Sequence, residues 1–399
     1  VPTRDEAVAA STGAYHTPGH LLTLIRNGTV RTRREIQDFT GLSRATVAQR
    51  IEQLLRGGYL DETATAASTG GRPAVLLRFN ERHGYILAAD LGATRGRFAL
   101  LDLAGRVLAE QACDLTIGSG PQLVLDCCER IFAELLDQAA VSRDVVCGVG
   151  LGVPGPVEHE AGLVRQPPIM PGWDGFPIAD HLTQRWQVPV LVDNDANLMA
   201  LGEHNAHYPG SPATLLVKVS TGIGAGVVIN GRVYRGIDGG AGDIGHVRLH
   251  GHDDARCMCG AFGCLAAVAS GGAIAAAMTR AGVPTDGSRG LVAHLNAGQP
   301  DAVRLTRIAG QLLGEVLATV VCLLNPQAVV IAGDLADTHF VAGVREELYR
   351  RALPRATRHL TVTTSRLREQ AGLHGAHAMV MDHVYSAAAV DTRLGAVAA

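Results

Sequence analysis

Cys257, Cys259 and Cys264 fall within eight residues and form the chain's densest grouping of metal-binding side chains. Cys257-Met258-Cys259 sets two thiolates close together, and Gly260-Ala261-Phe262-Gly263 bends the chain before Cys264. Soft, converging ligands of this kind favour tetrahedral zinc, and a structural zinc holds a loop in shape without activating water. His246 supplies a fourth ligand from outside the knuckle. His250 and His252 are nearer rivals, and Asp253 or Asp254 would offer oxygen instead. Without metal, the same thiols would line a reduced apolar pocket.

Two further groupings could do chemistry. The apolar strand at 188–192 runs into Asp193-Asn194-Asp195-Ala196-Asn197, with a helix expected from Ala196 to Glu203. Carboxylate and amide groups at such a strand-to-helix junction suit hydroxyl recognition in a crevice; the plain alternative is a solvated turn or helix cap. Residues 221–226, Thr-Gly-Ile-Gly-Ala-Gly, read as a sharp turn between strands at 215–219 and 227–229, whose amides could cradle phosphate. It is not a Walker loop, since no Gly-Lys-Ser or Gly-Lys-Thr follows. Lys218, the chain's sole lysine, lies in the preceding strand pattern, outside any phosphate-loop position.

These groups need an α/β frame. Strands are expected at 85–89, 98–101, 107–113 and 145–149, the first three as a hairpin-rich sheet, with a helix at 123–136. With 399 residues, 47% apolar and 18% charged, the chain can bury two or three cores and does not read as disordered. Eight cysteines are too sparse for a disulfide framework; Cys113, Cys127, Cys128, Cys147 and Cys322 read as buried thiols. No leader and no uninterrupted apolar stretch of membrane-spanning length is read, and the run at 316–324 reads as a packed helix segment. A cytoplasmic location without membrane partners is the expectation.

The net charge of −3 conceals a basic stretch. Seven arginines (26, 31, 33, 34, 44, 50 and 56) stand there against only Glu35, Asp38 and Glu52. Three short helices fit residues 21–60. Leu21, Leu22, Leu24 and Ile25 give the first an apolar face. Thr32 and Glu35 form a capping box for the second, with Ile36 and Phe39 facing the core. Ser43 caps the third, whose stripe is Val47, Ile51, Leu54 and Leu55. That third helix divides as a recognition helix must, with Ser43, Arg44, Thr46, Gln49 and Arg50 outward. Arg44, Thr46 and Gln49 are the expected base or phosphate contacts, with Arg33 beside them. Residues 61–79 read as turn and strand of a wing whose Arg72 could touch phosphate. A helical protein-interaction module is the alternative.

Taken together these segments resemble the ROK family of bacterial sugar kinases and sugar-responsive repressors. The likeness rests on the helix-turn-helix at 21–60, Asp90-Leu91-Gly92-Ala93-Thr94, Leu151-Gly152-Val153-Pro154-Gly155-Pro156, Asn194-Asp195-Ala196-Asn197, the 221–226 turn, the His246/cysteine site and Ala332-Gly333. It covers essentially the whole chain. It implies an α/β protein with an N-terminal winged helix-turn-helix (1–80) and a two-lobed actin-like ATPase domain. The lobes would be 81–204 and 205–399, the C-terminal helices returning to the first lobe. It also implies a homodimer or homotetramer and favours His246 as the fourth metal ligand.

In ROK kinases the aspartate matching Asp195 is the general base for a sugar hydroxyl attacking the ATP γ-phosphate. The resemblance would place Asn194, Asp195, Asp243 and His246 around sugar. It would place Asp90, Gly92, Thr94, Thr221, Gly222 and Gly333 around ATP with Mg2+. Several positions depart from that pattern. Ala93 replaces a glycine of the phosphate path, Asp243 a longer glutamate, Ile169 a sugar-contacting asparagine and Ala266 a glutamate. With the DNA-binding segment attached, a repressor responding to a sugar, its phosphate or a related metabolite is the favoured expectation. Sugar kinase is the alternative, and a regulator answering to a partner protein the third.

Overall fold

A computed structural model describes residues 16–63 and 75–397. Three helices begin the described chain: α1 (Pro18–Arg26), α2 (Arg33–Thr40) and α3 (Arg44–Arg56). Their ends follow from local chemistry. Thr32 Oγ1 accepts from the Glu35 amide at 3.1 Å, while Glu35 Oε2 accepts from the Arg31 amide at 2.6 Å, one residue before a standard capping box would close. Gly41 ends α2 in the left-handed region, with φ 71°. Ser43 Oγ then caps α3 by accepting from the Thr46 amide. Phe39 does not face the core as expected: it is 43% exposed. The eight-residue α2 buries Ile36 and Thr40, one turn apart, and this pairing turns Phe39 to the edge.

β1 (Leu60–Thr63) pairs antiparallel with β2 (Leu76–Phe79), as the strands of a wing would. Residues 64–74, expected to complete the wing and including Arg72, lie outside the described residues.

The first lobe holds β3 (Tyr85–Leu91), β4 (Arg95–Asp102), β5 (Val107–Asp114), α4 (Pro121–Ala139), β6 (Val146–Val153), β7 (Val157–Glu158), β8 (Leu163–Val164), α5 (Ile178–Trp186) and β9 (Val190–Asn194). Its five-stranded sheet runs β5-β4-β3-β6-β9; β3, β6 and β9 are parallel and β4 and β5 antiparallel. Next come α6 (Asp195–His207), β10 (Ala213–Val219), β11 (Ile223–Ile229), β12 (Arg232–Val233), α7 (Leu265–Ala269), α8 (Gly271–Arg280), α9 (Gly287–Asn296), α10 (Pro300–Leu324), β13 (Ala328–Ala332), α11 (Thr338–Arg351), α12 (Pro354–Thr357) and β14 (Thr361–Thr364). The second sheet, β12-β11-β10-β13-β14, repeats the strand order of the first. Each lobe is therefore one copy of the same α/β unit, the duplicated architecture of an actin-like ATPase.

The chain closes with α13 (Ala371–Val384) and α14 (Ala387–Val397). α13 packs on β3 and β6 of the first sheet and on α6, while α6 packs on β10 and β11 of the second. The helix pair between the sheets is close because glycines face backbone. A Cβ on Gly375 would sit 1.8 Å from the Leu198 carbonyl, and one on Gly202 would sit 2.2 Å from that of Ala371. The far end of α13 belongs to the N-terminal three-helix module: Val380, Val384 and Tyr385 share a core with Leu21, Ile51 and Leu54.

α10 has the length and apolar composition of a membrane-crossing helix. Here Ala309, Leu313, Leu317 and Val321 are buried in the second lobe's core, so the run at 316–324 is a packed helix segment.

Candidate functional site

The 221–226 segment is a shorter turn than expected. β11 begins at Ile223, leaving Ser220, Thr221 and Gly222 as the connection. Gly224 and Gly226 lie in the strand, where Gly226 lets α6 approach; a Cβ there would meet the Ala196 carbonyl at 2.3 Å. The amide-rich cradle is thus smaller, and part of the glycine pattern serves packing.

At the β9–α6 junction, Asn194 is the N-cap of α6, its Oδ1 accepting from the Ala196 and Asn197 amides. Asn194 therefore serves as the helix cap, while its Nδ2 also donates to the Gly155 carbonyl at 3.0 Å. Asp195, only 7% exposed, opens the helix and carries negative charge to its positive end. Its Oδ1 accepts from the Ala196 amide at 2.7 Å and its Oδ2 from Lys218 Nζ at 2.5 Å.

Lys218 was not expected here. It does lie in β10, yet its side chain crosses to Asp195 of α6. Its strand neighbours explain the room for it, since it stands opposite Gly224 on β11 and beside Ala332 on β13. The usable signal in the sequence was that a lone lysine occupies an otherwise apolar strand just before a glycine-rich turn.

Asp90 ends up beside this pair. Gly152 lies between them, its Cβ position 3.4 Å from Asp90 Oδ1 and 3.6 Å from the Asp195 Cα. Asp90 Oδ1 is buried without a hydrogen-bond partner. Burial pushes its carboxyl up to about 6; Lys218 and Arg97 oppose the shift and Asp195 adds to it. Gly92 closes the β3–β4 turn, its amide donating to the Arg95 carbonyl at 2.7 Å, and the Thr94 carbonyl accepts from the Leu115 amide. Gly333, at φ 88°, packs against Val219, with the following Asp334 amide bonded to Ser220 Oγ. The structure therefore gathers Asp90, Asp195, Gly333 and the β10–β11 turn at one cleft.

Asp243 shares a narrow crevice, of about 20 Å³, with Asn194, Asn197, Gly155, Pro156 and Gly242, and Asn194 directly precedes Asp195. A larger hollow beside α4, lined by Glu129, Arg143 and Trp186, shares no residue with it. Ile169, partly buried, packs against the first lobe's apolar core.

His246, Cys257, Cys259 and Cys264 converge, one donor atom from each lying within 4.8 Å of the others. Cys259 and Cys264 Sγ are 3.8 Å apart, as are Cys257 Sγ and His246 Nδ1. A tetrahedral ion with sulfur ligands at about 2.3 Å requires donor separations near 3.8 Å, so this set fits such a metal. His250, His252, Asp253 and Asp254 are not part of it. His246 ends the short 3-10 turn Ile244–His246, which brings it beside the knuckle and directly after Asp243.

On α3, Arg44 and Gln49 are exposed, and Ser43 Oγ and Thr46 Oγ1 are 2.8 Å apart in the cap. Arg50 is half-buried. Arg33 is engaged by Glu62 of β1 at 2.5 Å, so its guanidinium meets a carboxylate within the module.

A duplicated α/β cleft carrying an aspartate pair, joined to a helix-turn-helix, defines a class of two-lobed ligand-binding proteins with a DNA-binding module. Residues 86–383 match the ROK family, and the chain belongs to that family. It is similar to the xylose repressor of Caldicellulosiruptor bescii, with 28% identity over 92% of this chain and 95% of the relative. Among solved structures, a ROK family transcriptional regulator, a homolog of the E. coli Mlc protein, aligns with a TM-score of 0.79. The identity is 26%, over 95% of this chain and 98% of the other. A ROK glucokinase from Streptomyces griseus, solved with glucose and AMPPNP, aligns with a TM-score of 0.65 and 26% identity, over 74% of this chain and 99% of the kinase.

Proposed function

We propose that this chain is a transcriptional repressor whose hold on a double-stranded DNA operator responds to a sugar or sugar-derived ligand bound between its lobes. One observation carries the reading. The glucokinase is matched almost entirely yet spans about three quarters of this chain, whereas the regulator spans nearly all of it. The difference fits the helix-turn-helix.

In this reading Arg44, Thr46 and Gln49 of α3, with Ser43, Arg50, Arg33 and Arg72, face DNA. Phosphate contacts set position and affinity, and base contacts set sequence. Asn194, Asp195, Asp243 and His246 surround the sugar. His246 can serve both sites because its Nδ1 faces Cys257 and leaves Nε2 free to point elsewhere. Structural zinc, held by His246, Cys257, Cys259 and Cys264, shapes the loop carrying Asp243. α13 links ligand to DNA: it packs against α6 behind the sugar site and ends in the core of the DNA-binding module. The chain works as a homodimer or homotetramer in the cytoplasm, where two modules meet two half-sites. A ligand can act only by binding the DNA-competent and DNA-incompetent states differently.

Selection of DNA from a random library by the purified chain, followed by a metabolite screen for release, tests this. Recovery of no preferred sequence would reject it. A second reading, ATP-dependent sugar kinase, is favoured by Asp195 in the cleft. It would use Asp195 as general base, with Asp90, Gly92, Thr94, Thr221, Gly222 and Gly333 around ATP and Mg2+. Turnover of ATP with glucose, lost in Asp195→Ala, would establish it.

A further inference from the structure

Lys218 is unassigned by the functional reading, although it is the only lysine in the chain and sits in the cleft. Its ammonium lies 2.5 Å from Asp195 Oδ2, with the lysine side chain 18% exposed and the aspartate side chain 10%. Holding an ammonium there costs desolvation, which by itself drives lysine towards the neutral amine. Asp195, Asp90 and Asp334 together more than offset that cost and keep the amine protonated. Three carboxylates thus act on this one ammonium. Arg97 also acts on Asp90 but is paired with Glu110 and Glu369, and Arg235 is committed to Asp193.

Two consequences follow from this count. Asp195 has both oxygens engaged, one by its own helix and one by Lys218, yet a carboxylate offers about four lone-pair sites and can still accept from a sugar hydroxyl. The local balance is also negative, so an anionic group brought to this end of the cleft meets repulsion from Asp90, Asp195 and Asp334, which one lysine does not cancel.

We infer that Lys218 is the resident cation and a positioning residue of the sugar site: it holds the Asp195 carboxylate in place and offsets Asp90, so that the pocket takes an uncharged monosaccharide without magnesium–nucleotide. This rests on the sugar-binding reading above and adds the ligand's charge class and its independence of nucleotide. The ligand's phosphate ester is thereby disfavoured.

Isothermal titration of the full chain with D-xylose, D-glucose and D-glucose 6-phosphate, each with and without magnesium–ATP, tests the ligand half. The expected result is a neutral sugar whose Kd changes less than about twofold with magnesium–ATP. The phosphate ester should bind at least about tenfold more weakly, and Lys218→Met, which strands the Asp195 carboxylate and so lowers the melting temperature, should still fold and should weaken sugar binding by about tenfold. Binding that requires magnesium–ATP, preference for the phosphate, or wild-type affinity in a folded Lys218→Met variant would overturn the inference.

Reductive methylation read by mass spectrometry tests the ion pair without a lysine variant. Lys218 in the native wild type should react at least about tenfold more slowly than in urea, and Asp195→Asn should speed the native reaction. Equal rates in native protein and urea, or no change in Asp195→Asn, would refute the pair. If none of the sugars binds the wild type, the sugar reading itself fails together with the ligand half, and methylation still decides the role of Lys218.

Discussion

Arg235, from the loop after β12 in the second lobe, grips Asp193 at the end of β9 in the first. Its Nε and Nη2 donate to the same Oδ2 at 2.9 and 2.6 Å. Asp193 is 1% exposed, and its other oxygen accepts from the Asn194 amide and from Asn197 Nδ2. This aspartate directly precedes Asn194 and Asp195, so the clasp ties the polar junction of one lobe to the other lobe.

Arg235→Met should destabilise the chain by about 2–4 kcal/mol, because it strands a buried carboxylate that retains two lesser partners. Adding Asp193→Asn to that variant should restore part of the loss. Urea unfolding at pH 7.5 measures both, and additive effects of the two substitutions would contradict a coupled pair.

Asp90 is a buried carboxylate held at a cost. Its folded pKa, about 6, lies above the unfolded value of 3.8. The stability tied to its protonated form is therefore complete below pH 3.8 and is lost as pH rises through 6. Asp90→Asn removes the burden of the charge. It should raise stability by about 1–3 kcal/mol at pH 7.5, with the advantage gone near pH 3.5. Thermal melts of the two proteins across that range check the sign.

Cys257→Ser with Cys259→Ser should abolish bound zinc, because two of four converging donors lose their affinity for a soft ion. Elemental analysis should give about one zinc per chain in the native protein and none in the variant. The same zinc content in both would refute the site.

On α3, Arg44→Ala should weaken specific and nonspecific DNA alike and reduce the log–log salt slope by about 1, whereas Gln49→Ala should change sequence preference with the slope kept. Ser43→Ala removes the cap on the Thr46 amide and should cost about 1 kcal/mol of stability. Fluorescence anisotropy at several salt concentrations separates these roles, and a slope unchanged in Arg44→Ala would remove it from the phosphate contacts.

Local chemistry was legible in the residues themselves. Thr32, Gly41 and Ser43 mark helix ends because capping and left-handed turns depend on one side chain or its absence. The cysteine spacing pointed to a metal site because three soft donors fell within one short loop. The resemblance then carried the two-lobed plan and the choice of His246, which spacing had left open against His250 and His252.

What the chain's order could not reveal were the meetings between distant segments. Lys218 and Asp195 stand 23 residues apart on different elements and meet only because Gly224 and Ala332 leave space beside the lysine. Asp193 and Arg235, 42 residues apart, belong to different lobes. Phe39 moved to the surface and Gly226 into a strand for the same reason: what surrounds a side chain is set by the neighbouring element. Pattern and capping are decided within a few residues, whereas burial and charge pairing depend on which surfaces the folded chain presses together.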